Sequence, residues 1–210
     1  MESDAGEVNV LRGADLELPV GATASLVGPS GSGKSSLLLV TAGLEPATSG
    51  QVRVGGRDLG PLGEDDRARF RRDRIGFVFQ AFNLIPSMTA LENVATPLEL
   101  AGRADARKRA IDELASVGLA DRAGHLPSQL SGGEQQRVAI ARAFAGDADI
   151  LLADEPTGNL DGGTGESIVE LMFAQARDRG AAMLLVTHDP ALARRCDVKF
   201  RMADGVVVPA

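Results

Sequence analysis

The chain has no tryptophan and no tyrosine, and seven phenylalanines make up its aromatic content. Few rings are therefore available to stack on bases or to anchor a protein interface. A single cysteine, Cys196, excludes an internal disulfide, fits a reducing compartment and reads as a small core side chain. No apolar run approaches the roughly 18 residues that would span a bilayer, and the N-terminus lacks a basic, apolar, cleavable signal. The expectation is a cytoplasmic chain whose membrane role comes through a partner. Positive charge is also in deficit, with 22 basic against 29 acidic residues and a net charge of −7, which disfavours nucleic acid as the principal partner. Repeats, low-complexity tracts and long linkers are missing as well.

What is present is an ordinary globular composition over 210 residues, enough for one domain with a substantial core. Short apolar runs alternate with amphipathic stretches, the pattern of an α/β fold with a largely parallel sheet. Strands are expected at Ala24–Val27, Gln51–Val54, Ile75–Phe79, Ile150–Ala153, Met183–Val186 and, more weakly, Val198–Met202. Between Ala81 and Asp149 strand signals vanish and helical periodicity takes over. Ile111, Leu114 and Ala115 mark one helix there, with Gly118 as its C-terminal stop. This gives a core from residues 1–80 and 150–210 with a helical lobe, 81–149, inserted into it. The basic run Arg103–Arg109 reads as a solvated helix face.

Gly28-Pro29-Ser30-Gly31-Ser32-Gly33-Lys34-Ser35, followed by Ser36, satisfies the phosphate-loop pattern between an expected strand and an expected helix. The glycines let consecutive N–H groups wrap phosphate oxygens at a helix N-terminus. Lys34 adds charge for the β- and γ-phosphates, and Ser35 offers a hydroxyl to Mg²⁺. At the end of Ile150–Ala153, Asp154 can reach the magnesium shell through water, and Glu155 can polarise a water in line with the γ-phosphate. On their own, two acids before Pro156 would read as a surface turn.

Leu130-Ser131-Gly132-Gly133-Glu134-Gln135-Gln136-Arg137 is the most informative stretch. Ser131 and Glu134 form a capping-box pattern. Capping does not explain Gly132 and Gly133, since each glycine costs about 1 kcal/mol relative to alanine in a helix. Something must approach that backbone closely, and an anion is the natural candidate.

This run, between a phosphate loop and an Asp-Glu strand end, resembles the signature of the ATP-binding cassette family, over about Val10 to Gly205. The resemblance implies a P-loop ATPase that dimerises head to tail, with two ATP molecules trapped between phosphate loop and signature. Gln80 then matches the glutamine that touches metal and attacking water and reports to a transport partner. Asn159-Leu160-Asp161 matches the loop that crosses the dimer near the opposite site, and His188 matches the histidine contacting the γ-phosphate. The implied site comprises Lys34, Gln80, Glu155 and His188 as catalytic residues. It uses Gly28–Ser36, Ser131, Gly132, Gly133 and Asp161 for the nucleotide, and Ser35, Gln80 and Asp154 for Mg²⁺.

Phe79–Pro86, Thr89–Val94 and Ala153–Asp161 further resemble ATPase subunits of the lipoprotein-releasing and macrolide-exporting class. His125-Leu126-Pro127 and Ala193–Asp197 point to a sister branch of that class. The resemblance implies a separate integral-membrane permease, a homodimer at the inner face of the membrane, and export or extraction of membrane-associated cargo. Phe82, Leu84, Ile85 and Met88 would line the groove for the permease, or else pack the helical lobe.

One departure stands out. Family members generally open with a further strand and an adenine-stacking aromatic residue, whereas the first phenylalanine here is Phe70. The leading strand is expected to be missing, so a degenerate or regulatory cassette with impaired ATP binding remains an alternative. So does a soluble non-transport cassette ATPase, although neither coiled-coil insertions nor a second cassette is present. A small-molecule kinase would need acceptor-site features that the sequence lacks.

Overall fold

The computed structural model describes residues 10–210 together with the strands β1 (Glu2–Ser3) and β2 (Gly6–Glu7). The central sheet has six strands in the order β10-β9-β3-β8-β7-β6. Its members are β3 (Thr23–Val27), β6 (Ile75–Phe79), β7 (Ile150–Asp154), β8 (Ala182–Val186), β9 (Val198–Ala203) and β10 (Val206–Pro209). The pairs β9/β3, β3/β8, β8/β7 and β7/β6 are parallel, and β10 pairs antiparallel to β9. The expected α/β class with a largely parallel sheet is the observed one.

The two central strands show why the sheet is buried on both faces. Leu151, Ala153, Met183 and Leu185 enter one apolar cluster, while the alternating Leu152, Leu184 and Val186 enter the other. Side chains of a strand point alternately up and down, so continuous apolar runs such as these require cover on each face. One face is covered by α1 (Lys34–Thr41) and α2 (Glu64–Arg74), whose Leu37, Leu38 and Phe70 join the second cluster. The other carries α3 (Ala90–Leu100), α4 (Ala106–Ser116), α5 (Gly132–Phe144) and α6 (Gly162–Arg179). A short α7 (Pro190–Ala193) follows β8. Gly76 in β6 has a packing reason: a Cβ there would run into the Ala143 carbonyl of α5, so helix and strand meet backbone to backbone.

Among the described residues no strand lies between Phe79 and Ile150, in keeping with the helical stretch expected there. Within α4 the buried face differs from expectation. Leu114 is fully buried, but Ile111 is 45% exposed, and Ala110 and Glu113 take the inward positions. Glu113 can turn inward because the Arg179 guanidinium meets both its oxygens, at 3.0 and 2.7 Å. Gly118 ends α4 as expected, at φ +73°, with Leu119 N–H donating to Leu114 O and Gly118 N–H to Ala115 O. Arg103 and Arg109 of the basic run pair with Asp147.

Two hairpins went unrecognised in the sequence. β4 (Arg53–Val54) and β5 (Arg57–Asp58) are joined by Gly55-Gly56, and β9 and β10 by Asp204-Gly205. Both turns have positive φ at the two central positions, as two-residue hairpin turns require. The expectation of a missing leading strand meets a specific outcome: among the described residues the central sheet takes no strand from before Thr23, and β1 and β2 pair with each other.

Candidate functional site

The chemistry gathers at one edge of the sheet because parallel strands end together. Val27 of β3 runs straight into Gly28, and Asp154 at the end of β7 is in register with Phe79 of β6 and Val186 of β8. Gln80, Glu155, Thr187 and His188 therefore emerge side by side, next to the phosphate loop. In open α/β sheets this carboxyl edge is where ligands bind.

The phosphate loop is shaped for an anion. Gly31 and Gly33 sit at φ +77° and +103°, conformations that favour glycine, and a Cβ on Gly31 would meet only open space. Gly33 is the N-cap of α1, so Lys34, Ser35 and Ser36 form its first turn. Lys34 Nζ folds over the loop and donates to the carbonyls of Gly28 (2.9 Å) and Pro29 (2.8 Å). From behind, the Gly205 N–H donates to Ser32 O, and buried Met202 backs Gly28 and Gly33. Ser30 and Ser35 face solvent, and Ser32 is buried.

Glu155 is the unusual carboxylate. Its φ is +46°, a strained value for a residue with a side chain. Its N–H donates to Val186 O and its carbonyl accepts from Gly158 N–H, both at 3.0 Å. Its Oε2 lies 2.8 Å from His188 Nδ1, so carboxylate and imidazole form a pair at the ends of adjacent strands. The Glu155 side chain is 19% exposed and that of His188 75%.

Gln80 is placed at the same edge, turned toward the next loop. Its Nε2 donates to Asn159 Oδ1 (3.3 Å), and Asn159 Nδ2 donates back to the Gln80 carbonyl (3.0 Å). Gly158 makes room for this: a Cβ there would lie 2.6 Å from Gln80 Nε2. Asp161 caps α6, its Oδ1 accepting from Thr164 N–H at 3.0 Å, and that bond holds its carboxyl below the ordinary value.

The capping box at the signature is present. Ser131 N–H donates to Glu134 Oε2 (2.9 Å), and Ser131 Oγ accepts from Glu134 N–H (3.3 Å). The two glycines gain an explanation that the sequence did not offer. A Cβ on Gly133 would lie 2.5 Å from the Thr164 methyl, and one on Gly132 would lie 3.2 Å from Leu160. Within the chain, the close approach to Gly133 is made by α6. Exposed Ser131 and half-buried Gly132 remain at the surface, and no phosphate-loop atom lies within 4 Å of a Cβ built on Gly132 or Gly133.

Other functional candidates escaped the sequence. Arg142 of α5 donates to the carbonyls of Phe82 (2.8 Å) and Asn83 (2.6 Å), both at positive φ, and burial pushes its own pKa down. Asn93, buried in α3, accepts from Ile85 N–H and donates to the Ile85, Met88 and Thr89 carbonyls. Together they fix the segment after Gln80. Beside it, along edge strand β6, runs a groove of about 640 Å³, lined among others by Phe77, Phe79, Ile85, Pro97 and Leu100. Of the four apolar residues expected to line such a groove, Ile85 does so. Leu84 packs on the core, and Phe82 and Met88 are half-buried. No helix among the described residues is long and apolar enough to cross a membrane.

A phosphate loop and a strand-end carboxylate pair on a parallel sheet define a P-loop nucleotide hydrolase. Residues 11–158 match the ABC transporter family. The chain is 50% identical over 201 residues to the ABC transporter ATP-binding protein YbbA of Escherichia coli (strain K12), covering 95% of this chain and 88% of that one. It is 52% identical over 211 residues to the lipoprotein-releasing system ATP-binding protein LolD of Maricaulis maris (strain MCS10), covering 99% and 91%. Its fold matches the dimeric ATP-binding cassette MJ0796 in a post-hydrolysis state bound to ADP and Pi, with TM-score 0.86, 44% identity, and coverage of 94% and 88%. The chain belongs to the ABC transporter family, as its ATP-binding, ATP-hydrolysing subunit.

Proposed function

We propose that two copies of the chain pack head to tail and hydrolyse ATP at two shared sites to drive a separate membrane permease. The observation carrying this reading is the split of the site's parts. The phosphate loop, Gln80, Asp154, Glu155 and His188 share the sheet edge, while Ser131 and Gly132 stand apart at the start of α5. Gly31, Gly33, Lys34 and Ser35 of one copy would hold the phosphates, together with Ser131 and Gly133 of the other. Asp161 follows Asn159 and Leu160 in the loop that would cross between copies.

Ser35, Asp154 and Gln80 offer a hydroxyl, a carboxylate and an amide oxygen, hard donors that suit Mg²⁺ and leave most of its shell to water and phosphate. Bound there with the nucleotide, Mg²⁺ would supply neutralising charge to the phosphates. Glu155 accepts a proton from, or orients, the attacking water. His188 holds Glu155 through Nδ1 and, with its ring exposed, steadies the γ-phosphate. Lys34 serves both binding and charge neutralisation, so its loss should damage both.

Residues 81–149 would act as the lobe that carries the signature and the groove beside β6, and the groove would receive a cytoplasmic helix of the permease. By likeness to the lipoprotein-releasing relatives, the complex would sit on the inner face of the cell membrane and move membrane-associated cargo.

A mixing experiment tests the head-to-tail site. Lys34→Ala and Ser131→Arg chains should each be inactive alone and regain turnover when mixed, because a mixed dimer rebuilds one complete site. No recovery, with mixed dimers demonstrated, would contradict a site shared between copies.

A further inference from the structure

The strained backbone at Glu155 needs something to hold it. Non-glycine residues at positive φ persist only where their surroundings over-determine them. The following Pro156 restricts Glu155 further, since a residue before proline is pushed toward extended conformations. Two constraints act on the backbone groups of Glu155 itself, its N–H donating to Val186 O of β8 and its carbonyl accepting from Gly158 N–H. The third comes from elsewhere in the chain. Gln136, on the second turn of the signature helix α5, donates from Nε2 to the Pro156 carbonyl at 2.7 Å. This bond fixes the Pro156–Thr157 peptide plane, one residue beyond Glu155 in the turn that Gly158 N–H closes onto the Glu155 carbonyl.

Gln136 is fully buried, and its Oε1 has no hydrogen-bond partner among the described residues. A buried amide with one end unsatisfied is a poor choice for stability alone, because an apolar side chain would avoid the unpaired oxygen. Turning the amide over would set its oxygen against the Pro156 oxygen, so the carbonyl dictates its orientation. Gln136 makes its one strong bond in the right place to set a reacting group. The same helix holds the loop after Gln80 through Arg142. One rigid element thus grips the segments beside both Glu155 and Gln80, while its N-terminus presents Ser131 at the surface.

We infer that Gln136 is a positioning residue for hydrolysis, acting through the Pro156 carbonyl to hold Glu155 in its left-handed conformation under His188. It ties the signature helix of each chain to that chain's own catalytic carboxylate. Contact at Ser131 with the nucleotide of the partner subunit therefore bears on Glu155 of the same chain as that Ser131. This inference rests on the assignment of Glu155 as the residue that activates water.

The test uses the purified chain with Gln136→Met, which keeps the volume and removes the donor. We expect kcat for ATP to fall about ten- to a hundredfold, the scale set by misplacing a reacting group, with KM within about twofold. Adding Gln136→Met to Glu155→Gln should leave the residual turnover of Glu155→Gln unchanged, since both act on one step. A purely structural role would instead lower the double variant further and cut ATP binding in parallel. If the Met variant fails to fold, Gln136→Asn, whose amide is too short to reach Pro156, should give the same loss in kcat. Normal kcat in a folded Gln136 variant, or a further multiplicative loss in the double variant, overturns the inference. Normal turnover in Glu155→Gln alone would overturn the underlying assignment instead.

Discussion

His188 Nδ1 lies 2.8 Å from Glu155 Oε2, joining the residues that follow β8 and β7. The carboxylate is mostly enclosed and the imidazole mostly open, so one ring edge holds the carboxylate while the rest of the ring is exposed. The register of Asp154 with Val186 sets Glu155 beside Thr187, and His188, one residue on, reaches back to the carboxylate.

Replacing His188 with Ala should therefore lower ATP turnover by about a hundredfold or more, the scale of a lost acid–base element, while ATP binding persists. Steady-state turnover and nucleotide titration measure the two effects. Equal loss of both would remove His188 from the chemical step.

Leu100 is 75% exposed and lines the groove beside β6, whereas Leu84 packs on the core. Leu100→Asp should change stability by no more than about 0.5 kcal/mol, as for an ordinary surface site, and leave the turnover of the isolated chain intact. It should abolish retention on native membranes in a sedimentation assay. Undiminished retention would exclude this groove as the permease contact.

Arg179 and Glu113 join α6 to α4, and the same guanidinium lies 4.9 Å above the Phe144 ring. Arg179→Met should cost about 2 kcal/mol in denaturant unfolding, below the 3–5 kcal/mol of a fully buried pair because the arginine is partly exposed. A change under about 0.5 kcal/mol would show the pair to be dispensable, as surface ion pairs often are.

Burial pushes the Cys196 thiol up to about 11, so little thiolate exists at neutral pH. A thiol reagent should label the native protein slowly and the denatured protein at once. Rapid native labelling would mean that the C-terminal strands open easily.

Backbone amides hold three carboxyls below their ordinary values: Glu134 by Ser131, Asp161 by Thr164 and Asp197 by Thr23. A carboxyl with a lower pKa in the fold than in the unfolded chain stabilises fully above its unfolded value and loses that contribution as pH falls through the folded one. The thermal midpoint should fall as pH drops below about 4.5, and less so in Asp161→Asn. A midpoint that rises on acidification would contradict these caps.

Much of this was legible in the chain itself. The phosphate loop demands a strand before it and a helix after it, and Thr23–Val27 and Lys34–Thr41 are there. Ser131 and Glu134 spell their own cap. What stayed hidden were bonds between distant positions, such as Gln136 to Pro156, Asn159 to Gln80, and Arg142 to Phe82 and Asn83. No local period encodes such pairs, because folding alone brings them together. The purpose of Gly133 was hidden for the same reason, since Thr164 reaches it from another helix. The β9–β10 hairpin was readable and overlooked: Asp204-Gly205 between apolar runs is a strong turn signal.

The most direct test of the account is the Glu155→Gln chain given ATP and Mg²⁺, with phosphate release and molar mass in solution measured on one sample. The account predicts negligible phosphate release and a stable dimer retaining two unhydrolysed ATP molecules. Turnover at the wild-type rate, or a monomer that binds ATP without pairing, would contradict it.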